Sequence, residues 1–445
     1  MLYSVKYSIV TFGCRVNQAD SLRLEEDLRA RGGVETPSRD AELVIVNTCS
    51  VTATADQGAR QTIRRIAREN PGARIVATGC YATRCEEEVA ALPGVVRVIR
   101  NDDKLDFFRG VRASAASKPG ERSGVGVLAS EPAGEFEGRS PSIENDGPCG
   151  SVIEPGVAGR TAFTIRAQTG CEERCAYCII PSTRGASRSR PVAELVREIA
   201  RVAEAGFKEV TLTGVHLGSF GRDLTPSSSL LALLRALDAM DGDVRFRLSS
   251  LEPMDCTPEI VALVAGRGRF LPHFHLPLQH ASDRMLASMR RPYTVDDYRR
   301  LVDGIVSRLP HASIGSDMIV GFPGETDEDF AANVAYLPSS PLTHLHVFPY
   351  SDRPGTEASA MRDKVHGTLV RERGAVLRAI GADLAARFRA SQTGSVRAGL
   401  TLEDGTLVVT GNYLKVRIPP GTPRNTRVTV RIGAAEPAAL ESLLV

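Results

Sequence analysis

Residues 162–181 read AFTIRAQTGCEERCAYCIIP, a short apolar run of strand type followed directly by Cys171, Cys175 and Cys178. Three thiolates this close on one loop, the loop cysteines, can hold three corners of a cubane iron–sulfur cluster and leave the fourth iron open to a ligand. A structural zinc site is the alternative, but zinc commonly takes four ligands from paired C-x2-C units, and no second unit follows here. The spacing therefore favours an iron–sulfur cluster.

Short apolar runs alternate with amphipathic stretches from about residue 160 to residue 350. About six strand–helix units in that length predict a partial or complete β/α barrel, a parallel fold whose chemistry lies on the loops that follow the strands. The loop cysteines stand on the first of these loops. We therefore expect the barrel to carry the main reaction site.

A second cysteine pattern runs through the first hundred residues. Tyr7–Cys14, Glu42–Cys49 and Ala73–Cys80 are strand-like runs that each end on a cysteine, and a helix capped by Asp20 is expected after the first. Strands alternating with helices predict a parallel sheet whose neighbouring strands lie about 4.8 Å apart. The terminal cysteines, the sheet-edge cysteines, are thus expected to meet at one edge. Ordinary buried cysteines are the alternative, but three in register favour a second cluster.

The overall composition is that of an ordinary globular chain. Its 445 residues are 42% hydrophobic, and 55 Lys and Arg nearly cancel 53 Asp and Glu, for a net charge of +2. This excludes a disordered or collagenous chain, and nucleic-acid binding would depend on local basic patches. Because no apolar run could span a membrane and no secretory signal is visible, we expect a cytoplasmic protein whose cysteines are free of disulfides.

Composition divides the chain into four segments. Residues 1–112 hold the sheet-edge cysteines, and residues 113–159, rich in Gly, Ser, Pro and Glu, are expected to form a flexible linker. Residues 160–390 contain the barrel and one long basic helix, Glu357–Arg389. Residues 391–445 change to short β-like runs broken by turns. The predicted fold class is α/β, with a parallel sheet, a barrel and a small C-terminal all-β module.

These motifs together resemble the radical S-adenosylmethionine (SAM) methylthiotransferases. The resemblance covers nearly the whole chain apart from the linker, through TFGCRVNQAD, VNTCSVTATAD, ATGCYA, GCEERCAYCIIP, TRGASRSRP, LTGVHLGSFG, RLSSLEP, HLPLQ and SDMIVGFPGET. One departure is His280-Ala281, where the family usually has Ser-Gly, so the local loop geometry is expected to differ. The resemblance implies an N-terminal domain with an auxiliary cluster, a radical SAM domain and a C-terminal RNA-binding TRAM domain.

The resemblance implies two 4Fe–4S clusters and SAM as cofactors. In that superfamily the open iron chelates SAM, and one electron breaks a carbon–sulfur bond of SAM to give a 5′-deoxyadenosyl radical. A second SAM supplies a methyl group, and the auxiliary cluster supplies or carries the sulfur that enters an unactivated C–H bond. The implied cluster ligands, of which the last three are also catalytic, are Cys14, Cys49, Cys80, Cys171, Cys175 and Cys178.

A further group of side chains is expected to contact SAM: Tyr177, Thr213, Gly214, Glu252 and Arg188. By resemblance, Tyr177 lies near the adenine, and Thr213-Gly214 match the glycine motif near the SAM amino group, although a plain loop glycine is the alternative. Glu252 ends a predicted strand and can bind polar groups of the ligand. Arg188, together with Arg190, can hold a carboxylate or phosphate through two hydrogen bonds, with solvated ion pairs as the alternative.

Some other candidate ligands carry less weight. His273, His275 and His280 form an H-x-H pattern that a metal could use, but their apolar neighbours favour a strand that points into the barrel. The remaining cysteines fall outside both sets and are not expected to be ligands: Cys85, Cys149 and Cys256.

Methylthiotransferases divide by target: isopentenylated adenosine in tRNA, threonylcarbamoylated adenosine in tRNA, or an aspartate of a ribosomal protein. The segments LTGVHLGSFG, LSSLEP and HVFPYSDRPGT are more similar to enzymes that act on N6-threonylcarbamoyladenosine than to those acting on the isopentenyl base, which usually read LGQN. The resemblance therefore implies 2-methylthiolation of N6-threonylcarbamoyladenosine beside the anticodon. The other two targets, another radical SAM reaction and a non-catalytic iron–sulfur tRNA-binding protein remain alternatives.

The expected partners are tRNA and a low-potential electron donor of flavodoxin or ferredoxin type, for a monomer that binds no membrane. Basic side chains can contact tRNA phosphates, with a solvated basic face as the alternative. In the predicted long helix they are Arg362, Lys364, Arg371, Arg373, Arg378, Arg387 and Arg389. In the β tail they are Lys415, Arg417, Arg424, Arg427 and Arg431, with Tyr413 as the one evident stacking aromatic.

Overall fold

A computed structural model describes residues 5–104, 161–266, 268–402 and 404–433 of the chain. These residues form an N-terminal parallel sheet, an incomplete parallel barrel and a C-terminal antiparallel sheet, which confirms the predicted fold class. The predicted linker at 113–159, with Cys149, lies outside the described residues. Within the described part of the chain, no helix is both long and apolar enough to cross a membrane.

The N-terminal sheet has five parallel strands in the order β2-β1-β3-β4-β5. Its strands are β1 (Lys6–Thr11), β2 (Val34–Glu35), β3 (Leu43–Thr48), β4 (Arg74–Gly79) and β5 (Val95–Ile99). Its helices are α1 (Arg15–Arg29), α2 (Ala53–Glu69), α3 (Cys80–Arg84) and α4 (Glu86–Ala90). Parallel neighbours need crossover connections, and the helices supply them.

Local sequence signals account for helix α2 and for its place on the sheet. The Thr52 hydroxyl accepts a hydrogen bond from the amide of Ala55 at 3.2 Å and caps the helix. Ala59, Ile63 and Ile66 recur at helical spacing, and all three are buried in the core that the helix shares with the sheet.

Helix α1 begins earlier than the sequence predicts. The expected cap, Asp20, lies inside the helix, whose first residue is Arg15 and whose N-cap is Cys14. The prediction of an Asp20 cap is therefore wrong. Asp20 is only 2% exposed and pairs with buried cations, so its carboxylate is engaged by tertiary contacts and not by the helix amides.

The barrel is built from two three-stranded parallel sheets, in the orders β10-β9-β6 and β11-β12-β13, which meet at an isolated bridge between Phe246 and Phe270. Its strands are β6 (Phe163–Arg166), β9 (Glu209–Thr213), β10 (Arg245–Leu248), β11 (His273–His275), β12 (Ser313–Val320) and β13 (His344–Pro349). A small antiparallel pair is β7 (Gln168–Thr169) and β8 (Arg188–Ser189). Among the described residues β6 and β13 do not pair, so the barrel is partial.

The helices between the barrel strands cover its outer face. They are α5 (Ile180–Arg184), α6 (Val192–Glu204), α7 (Leu230–Asp238), α8 (Pro258–Ala265), α9 (Asp283–Ser288), α10 (Val295–Arg308) and α11 (Asp327–Tyr336). Phe246 and Leu248 of β10 join the apolar core under these helices, whereas the alternate residue Arg247 pairs with Glu209 at 2.8 Å. Because strand side chains alternate, the outer face is apolar and the inner face polar.

The predicted single basic helix, Glu357–Arg389, is wrong as one element. The structure has a short helix, α12 (Glu357–Ala360), and a long helix, α13 (Gly367–Gln392). Between them Met361 becomes extended, and the Asp363 carbonyl accepts a hydrogen bond from the amide of Gly324 at 2.7 Å. This tie to a barrel loop interrupts the helix, and the His366 ring caps the next one.

The C-terminal sheet is antiparallel, in the order β16-β15-β14-β17. Its strands are β14 (Val396–Leu402), β15 (Leu407–Thr410), β16 (Lys415–Arg417) and β17 (Arg427–Arg431). Arg247 of the barrel donates to the carbonyl of Gly411 at 3.1 Å, and Arg427 pairs with Asp243 at 2.6 Å. The module is therefore held near the amino ends of barrel strands, away from the loops that follow them.

The contact between α1 and α6 predicts a pH-dependent stability. Burial, with the nearby Glu198 carboxylate, raises the pKa of Glu26 to about 7. A carboxyl whose pKa is raised on folding binds protons more tightly in the folded state, so stability is lost as pH rises from about 4.5 to about 7. We expect Glu26→Gln to match the wild-type Tm at pH 5 and to exceed it by about 2 °C or more at pH 8.

Thermal unfolding at the two pH values checks this expectation. Glu69→Gln, which changes an exposed residue at the end of α2, is the matched control and should leave the Tm unchanged at both. An equal Tm difference between Glu26→Gln and wild type at pH 5 and pH 8 would contradict the argument.

Candidate functional site

The loop cysteines lie on a loop that backbone hydrogen bonds hold in place. The amide of Cys171 donates to the carbonyl of Gly185 at 3.0 Å, and the amide of Cys178 donates to the carbonyl of Cys175 at 3.0 Å. Gly170 precedes the loop at φ +75°, and a Cβ there would lie 1.8 Å from the Ala186 carbonyl oxygen. Only glycine fits this turn, and it brings the three half-buried thiols to one side of the barrel.

A cavity of about 520 Å³ opens beside this loop. Its size falls within the range of sites that bind small molecules. Its lining includes Cys171, Cys175, Cys178, Gly185, Arg290 and Thr356. The cavity therefore offers space for a cluster and a ligand at the carboxyl ends of the barrel strands.

Arg291 contacts the loop cysteines directly and was not singled out from the sequence. Its guanidinium donates to the Cys175 sulfur at 3.1 Å and to the Tyr293 hydroxyl at 3.0 Å, and it pairs with Glu252. The expected ligand contact Glu252 is thus placed one side chain away from Cys175. No local motif marks Arg291, because two of its partners, Cys175 and Glu252, lie more than 30 positions away in the chain.

His216, in the LTGVHLGSFG segment, lies beside Cys171. Burial lowers its pKa, but hydrogen bonds to Asp255, at 2.7 Å, and to Cys171 outweigh burial and raise the pKa to about 9. The preceding Gly214 approaches Gln168 closely, since a Cβ there would lie 3.1 Å from the Gln168 side-chain oxygen. That same oxygen accepts the amide of His216 at 2.9 Å. The glycine thus packs the loop after β9 against the cysteine loop.

The other residues expected to contact SAM lie in three different environments. Tyr177 packs against a small apolar cluster that includes Met285 and Phe322, and burial raises its pKa. Thr213 is buried at the end of β9. Arg188 does not line the described cavity, because it pairs with Asp102 of the N-terminal region.

Arg190 has carboxylate partners within its own region. Its guanidinium pairs with Glu194 at 2.5 Å and also with Glu198. Arg190 therefore forms ion pairs, which was the alternative to binding a ligand. Its own side chain is mostly buried, so these pairs are not fully solvated.

The sheet-edge cysteines follow neighbouring parallel strands. Thr48 pairs in register with Gly79, so Cys49 and Cys80 follow at the same level of the sheet. Gly13, with φ +84°, leads into Cys14, and a Cβ on Gly13 would lie 2.4 Å from the Cys49 sulfur. Burial raises the pKa of Cys49 to about 11, with a further contribution from the neighbouring Cys14 and Cys80 thiols. The three thiols thus gather at one edge, Cys14 exposed and the other two buried.

The spacing within each cysteine set bears on the zinc alternative. Sulfurs that share one tetrahedral zinc ion lie about 3.8 Å apart, given Zn–S bonds of about 2.3 Å. In the described parts of the chain, the one group of three His, Cys, Asp or Glu ligand atoms within 4.8 Å of one another is His275, Asp317 and His346. Neither cysteine set forms such a group among the described residues.

Arg184 joins the two cysteine sets. It belongs to α5, the helix that directly follows the loop cysteines, and is only 2% exposed. Its guanidinium donates to the Asn17 side-chain oxygen at 2.5 Å and to the Thr169 hydroxyl at 3.2 Å, and its charge lowers the pKa of the nearby Cys80 thiol. A barrel residue is therefore close to a sheet-edge cysteine.

Asp20 lies at the centre of the same contact. Its buried carboxylate pairs with Lys104, Arg166 and Arg184, so three cations surround one anion. Burial raises the pKa of the Cys80 thiol, but Arg184 and Lys104 outweigh burial and lower it. The surplus positive charge favours the thiolate, the form in which cysteine binds metal. Sequence reasoning did not single out Arg184, although the TRGASRSRP segment contains it, and it did not identify Lys104.

The basic residues expected to contact tRNA divide into two groups. Arg373 is 3% exposed and pairs with Asp327 at 2.7 Å, and Arg387 donates to two barrel-loop carbonyls at 2.6 Å. Arg373 is therefore structural and the prediction that it binds phosphate is wrong, whereas Arg387 is exposed and its phosphate contact stays a prediction. Exposed members of the two basic sets include Arg362, Arg371, Arg378, Arg417, Arg424 and Arg431.

Tyr413, the expected stacking aromatic, is 39% exposed in the C-terminal module. Its ring lies 4.7 Å from the His273 ring and 4.8 Å from the Arg247 guanidinium carbon. Its hydroxyl accepts a hydrogen bond from Arg15 at 3.1 Å. Tyr413 therefore links the three regions of the fold, and one part of its ring stays open to solvent.

The close approach at Gly13 predicts a selective loss of cluster occupancy. In Gly13→Ala the new Cβ would collide with the Cys49 sulfur, so we expect the variant to retain about half of the iron of the reconstituted wild type. Gly32→Ala is the matched control, because Gly32 has φ +80° but a Cβ added there would meet nothing within 4 Å. Both variants carry the strain of a left-handed alanine, about 1 kcal/mol.

Iron and sulfide analysis after anaerobic reconstitution measures both variants. Equal iron contents in Gly13→Ala and Gly32→Ala would show that the sheet-edge cysteines bind no cluster.

Two family models match the chain. The model "Uncharacterized protein family UPF0004" matches residues 6–100, and the model "Radical SAM superfamily" matches residues 165–337. The first range contains the sheet-edge cysteines and the second contains the loop cysteines.

Curated proteins match along most of the chain. It is 34% identical to the threonylcarbamoyladenosine tRNA methylthiotransferase of Aquifex aeolicus (strain VF5), over 93% of this chain and 96% of that one. Identity to the protein of the same name from Thermotoga maritima is 36%, over 87% and 85%. A ribosomal protein uS12 methylthiotransferase of Roseiflexus sp. (strain RS-1) is 34% identical over 83% and 79%.

A tRNA-2-methylthio-N(6)-dimethylallyladenosine synthase of Paenarthrobacter aurescens (strain TC1) is 30% identical, over 90% of this chain and 75% of that one. Among solved structures, the radical S-adenosylmethionine methyltransferase TsrM from Kitasatospora setae is similar with a TM-score of 0.53 and 18% identity, over 80% of this chain and 74% of that one. At that identity the likeness concerns the fold alone.

Proposed function

The chain belongs to the radical SAM methylthiotransferase family, and we propose that it converts N6-threonylcarbamoyladenosine next to the tRNA anticodon to the 2-methylthio derivative. Family membership makes the chain an enzyme, so the non-catalytic binding protein is no longer an alternative. Its cofactors are two 4Fe–4S clusters and SAM. When bound, they supply the radical, the sulfur and the methyl group of the reaction.

The observation that carries the proposal is that each cysteine set has a buried arginine beside one of its cysteines. The loop cysteines are proposed to bind the cluster that holds SAM, and the sheet-edge cysteines the auxiliary cluster. Arg291 beside Cys175 and Arg184 beside Cys80 each place a cation against a cysteine sulfur. Hydrogen bonds from cations to ligating sulfurs stabilise the thiolate and tune the cluster.

The identity of the modified tRNA base is the more specific part of the proposal. Two of the relatives, at 34% and 36% identity, are named for threonylcarbamoyladenosine, whereas others are named for a ribosomal protein or the dimethylallyl base. The threonylcarbamoyl group differs chemically from the dimethylallyl group in carrying a carboxylate. A site for it therefore needs a cation that is not already fully hydrogen-bonded.

Arg353, in the HVFPYSDRPGT segment, supplies such a cation. It is 3% exposed and pairs with Asp56 at 2.7 Å through one nitrogen. Among the described residues, its Nε and Nη2 atoms have no hydrogen-bond partner. The neighbouring Gly355 and Thr356 line the cavity beside the loop cysteines. Buried donors without partners are costly, and a substrate carboxylate would satisfy them.

The remaining partners follow the same proposal. Exposed basic residues of α13 and of the C-terminal module are proposed to contact tRNA phosphates. A low-potential donor of flavodoxin or ferredoxin type would supply the electron, to a monomeric, cytoplasmic enzyme. The division into segments 1–112, 113–159, 160–390 and 391–445 is proposed as the domain organisation.

The proposed substrate predicts a choice between tRNAs. Reconstituted enzyme with SAM and a reductant should methylthiolate tRNA bearing N6-threonylcarbamoyladenosine and leave tRNA bearing isopentenyladenosine unchanged, as nucleoside mass spectrometry would report. The Cys171/Cys175/Cys178→Ala variant is the control and should form neither product nor 5′-deoxyadenosine. Modification of the isopentenyl base alone, or of neither tRNA, would overturn the substrate assignment.

The open donors of Arg353 predict a substrate-specific defect. Arg353→Lys keeps the charge but loses the paired donors. Because a lost charged hydrogen bond costs about 1.5–3 kcal/mol, we expect kcat/KM for tRNA bearing N6-threonylcarbamoyladenosine to fall roughly 10- to 100-fold. SAM cleavage without tRNA should stay unchanged. Arg84→Lys, which alters the other partner of Asp56, is the matched control. Equal losses in both variants would mean that Arg353 acts only through Asp56.

A further inference from the structure

Three strands of the barrel bring two histidines and an aspartate together on the inner face. His275 ends β11, Asp317 lies within β12 and His346 within β13. Asp317 pairs in register with His346, and His275 pairs with Gly315, two residues before Asp317. Because side chains two positions apart share a face, all three point to the same side of the sheet.

The three side chains approach one another within bonding distance of a common ion. His275 Nε2 lies 2.9 Å from Asp317 Oδ1, and His346 Nδ1 lies 3.1 Å from the same oxygen. Neighbouring ligands of an octahedral ion, at bond lengths of about 2.1 Å, lie about 3 Å apart. All three ligand atoms fall within 4.8 Å of one another. The two spacings through Asp317 thus match those of neighbouring ligands on one ion, and the third is no longer than 4.8 Å.

We propose that His275, Asp317 and His346 bind one divalent first-row transition-metal ion, such as Mn²⁺, Fe²⁺ or Zn²⁺. Two imidazoles and one carboxylate on a single face are the donor set that binds these ions with the remaining positions open. This site contains no cysteine and is separate from both cysteine sets. It goes beyond the proposed methylthiolation, which needs no third metal centre.

Exposure of the site leaves room for the ion and for a further ligand. The side chains of His275 and Asp317 are 10% and 24% exposed, whereas that of His346 is 53% exposed. Ions can therefore enter from the His346 side, and the open coordination positions would face the barrel interior. An oxygen ligand such as water or a carboxylate fits those positions.

A fourth histidine crowds the same face and shapes the site. A Cβ on Gly315 would lie 2.0 Å from the His344 ring nitrogen, so glycine lets that ring lie flat over β12. The His344 ring lies 6.2 Å from the His275 ring and 5.5 Å from the His346 ring. The His344 ring thus lies along one side of the three ligands and limits how their side chains can move.

The alternative arrangement is one of hydrogen bonds alone, with both imidazoles donating to the Asp317 carboxylate. Binding of an ion would replace these two bonds and move each ring proton to the other nitrogen. The sequence did not predict this site, because the pattern suggested His273, His275 and His280, whereas His280 contacts Asn333 at 3.0 Å elsewhere.

Mn²⁺ is the probe that tests the proposal, because it prefers imidazole and carboxylate to thiolate and is distinct from cluster iron. The fully reconstituted enzyme is titrated with Mn²⁺ alone, and free Mn²⁺ is followed by its EPR signal. We expect about one bound equivalent in wild type and a loss of affinity of about tenfold or more in Asp317→Asn and His346→Asn. His366→Asn, at the exposed cap of α13, is the control and should bind like wild type.

Each outcome of the Mn²⁺ titration decides for or against the proposed site. Absence of a bound equivalent in wild type, or unchanged affinity in His346→Asn, would overturn the proposal and leave the hydrogen-bonded arrangement. If Asp317→Asn fails to retain cluster iron and so misfolds, the half-exposed His346→Asn decides alone. Failure here leaves the methylthiolation assay unaffected, since that assay follows tRNA product and not bound Mn²⁺.

Discussion

The buried carboxylate of Asp20 is the group on which the joining of the two halves depends. Lys104 precedes the linker, Arg166 lies on β6 and Arg184 follows the loop cysteines, so its three cationic partners come from separate parts of the chain. Removing one member of a buried ion network commonly costs about 3–5 kcal/mol, because the others remain buried without compensation. The surplus of cations beside Cys80 lowers the pKa of its thiol and so favours the negatively charged thiolate.

Side chains alternate along the barrel strands, so that the apolar core lies on one face and the polar groups lie on the other. Phe246 and Leu248 face the helices and belong to one large apolar core, which removes nonpolar surface from water. The intervening positions carry Arg247, His275 and Asp317, which would destabilise a closed core if they were unpaired. The incomplete barrel leaves this polar face accessible, so the residues that cost stability are the ones available to ligands.

Parts of the site that follow local patterns could be predicted from the sequence. The two cysteine sets were identified because spacing on one loop, and position at the ends of successive strands, are local properties. Arg184 and Arg291 were missed because their roles arise from partners in other segments. Arg188 was expected at the ligand for its place in an Arg-rich motif, but Asp102, 86 positions earlier, pairs with it in the folded chain. Asp20 was assigned to a cap for the same reason.

Helix α5 sets the distance between the two cysteine sets. Cys178 ends the cysteine loop, and Arg184, at the end of the one-turn helix Ile180–Arg184, lowers the pKa of the Cys80 thiol. At 1.5 Å per residue the helix spans about 7.5 Å, so the two sets are held one short, rigid element apart. Asn101 reinforces this spacing, because its amide donates to the carbonyl of Thr183 at 2.9 Å and to Cys80 at 3.6 Å. The two cysteine sets are therefore joined through one short helix and the hydrogen bonds that its residues make.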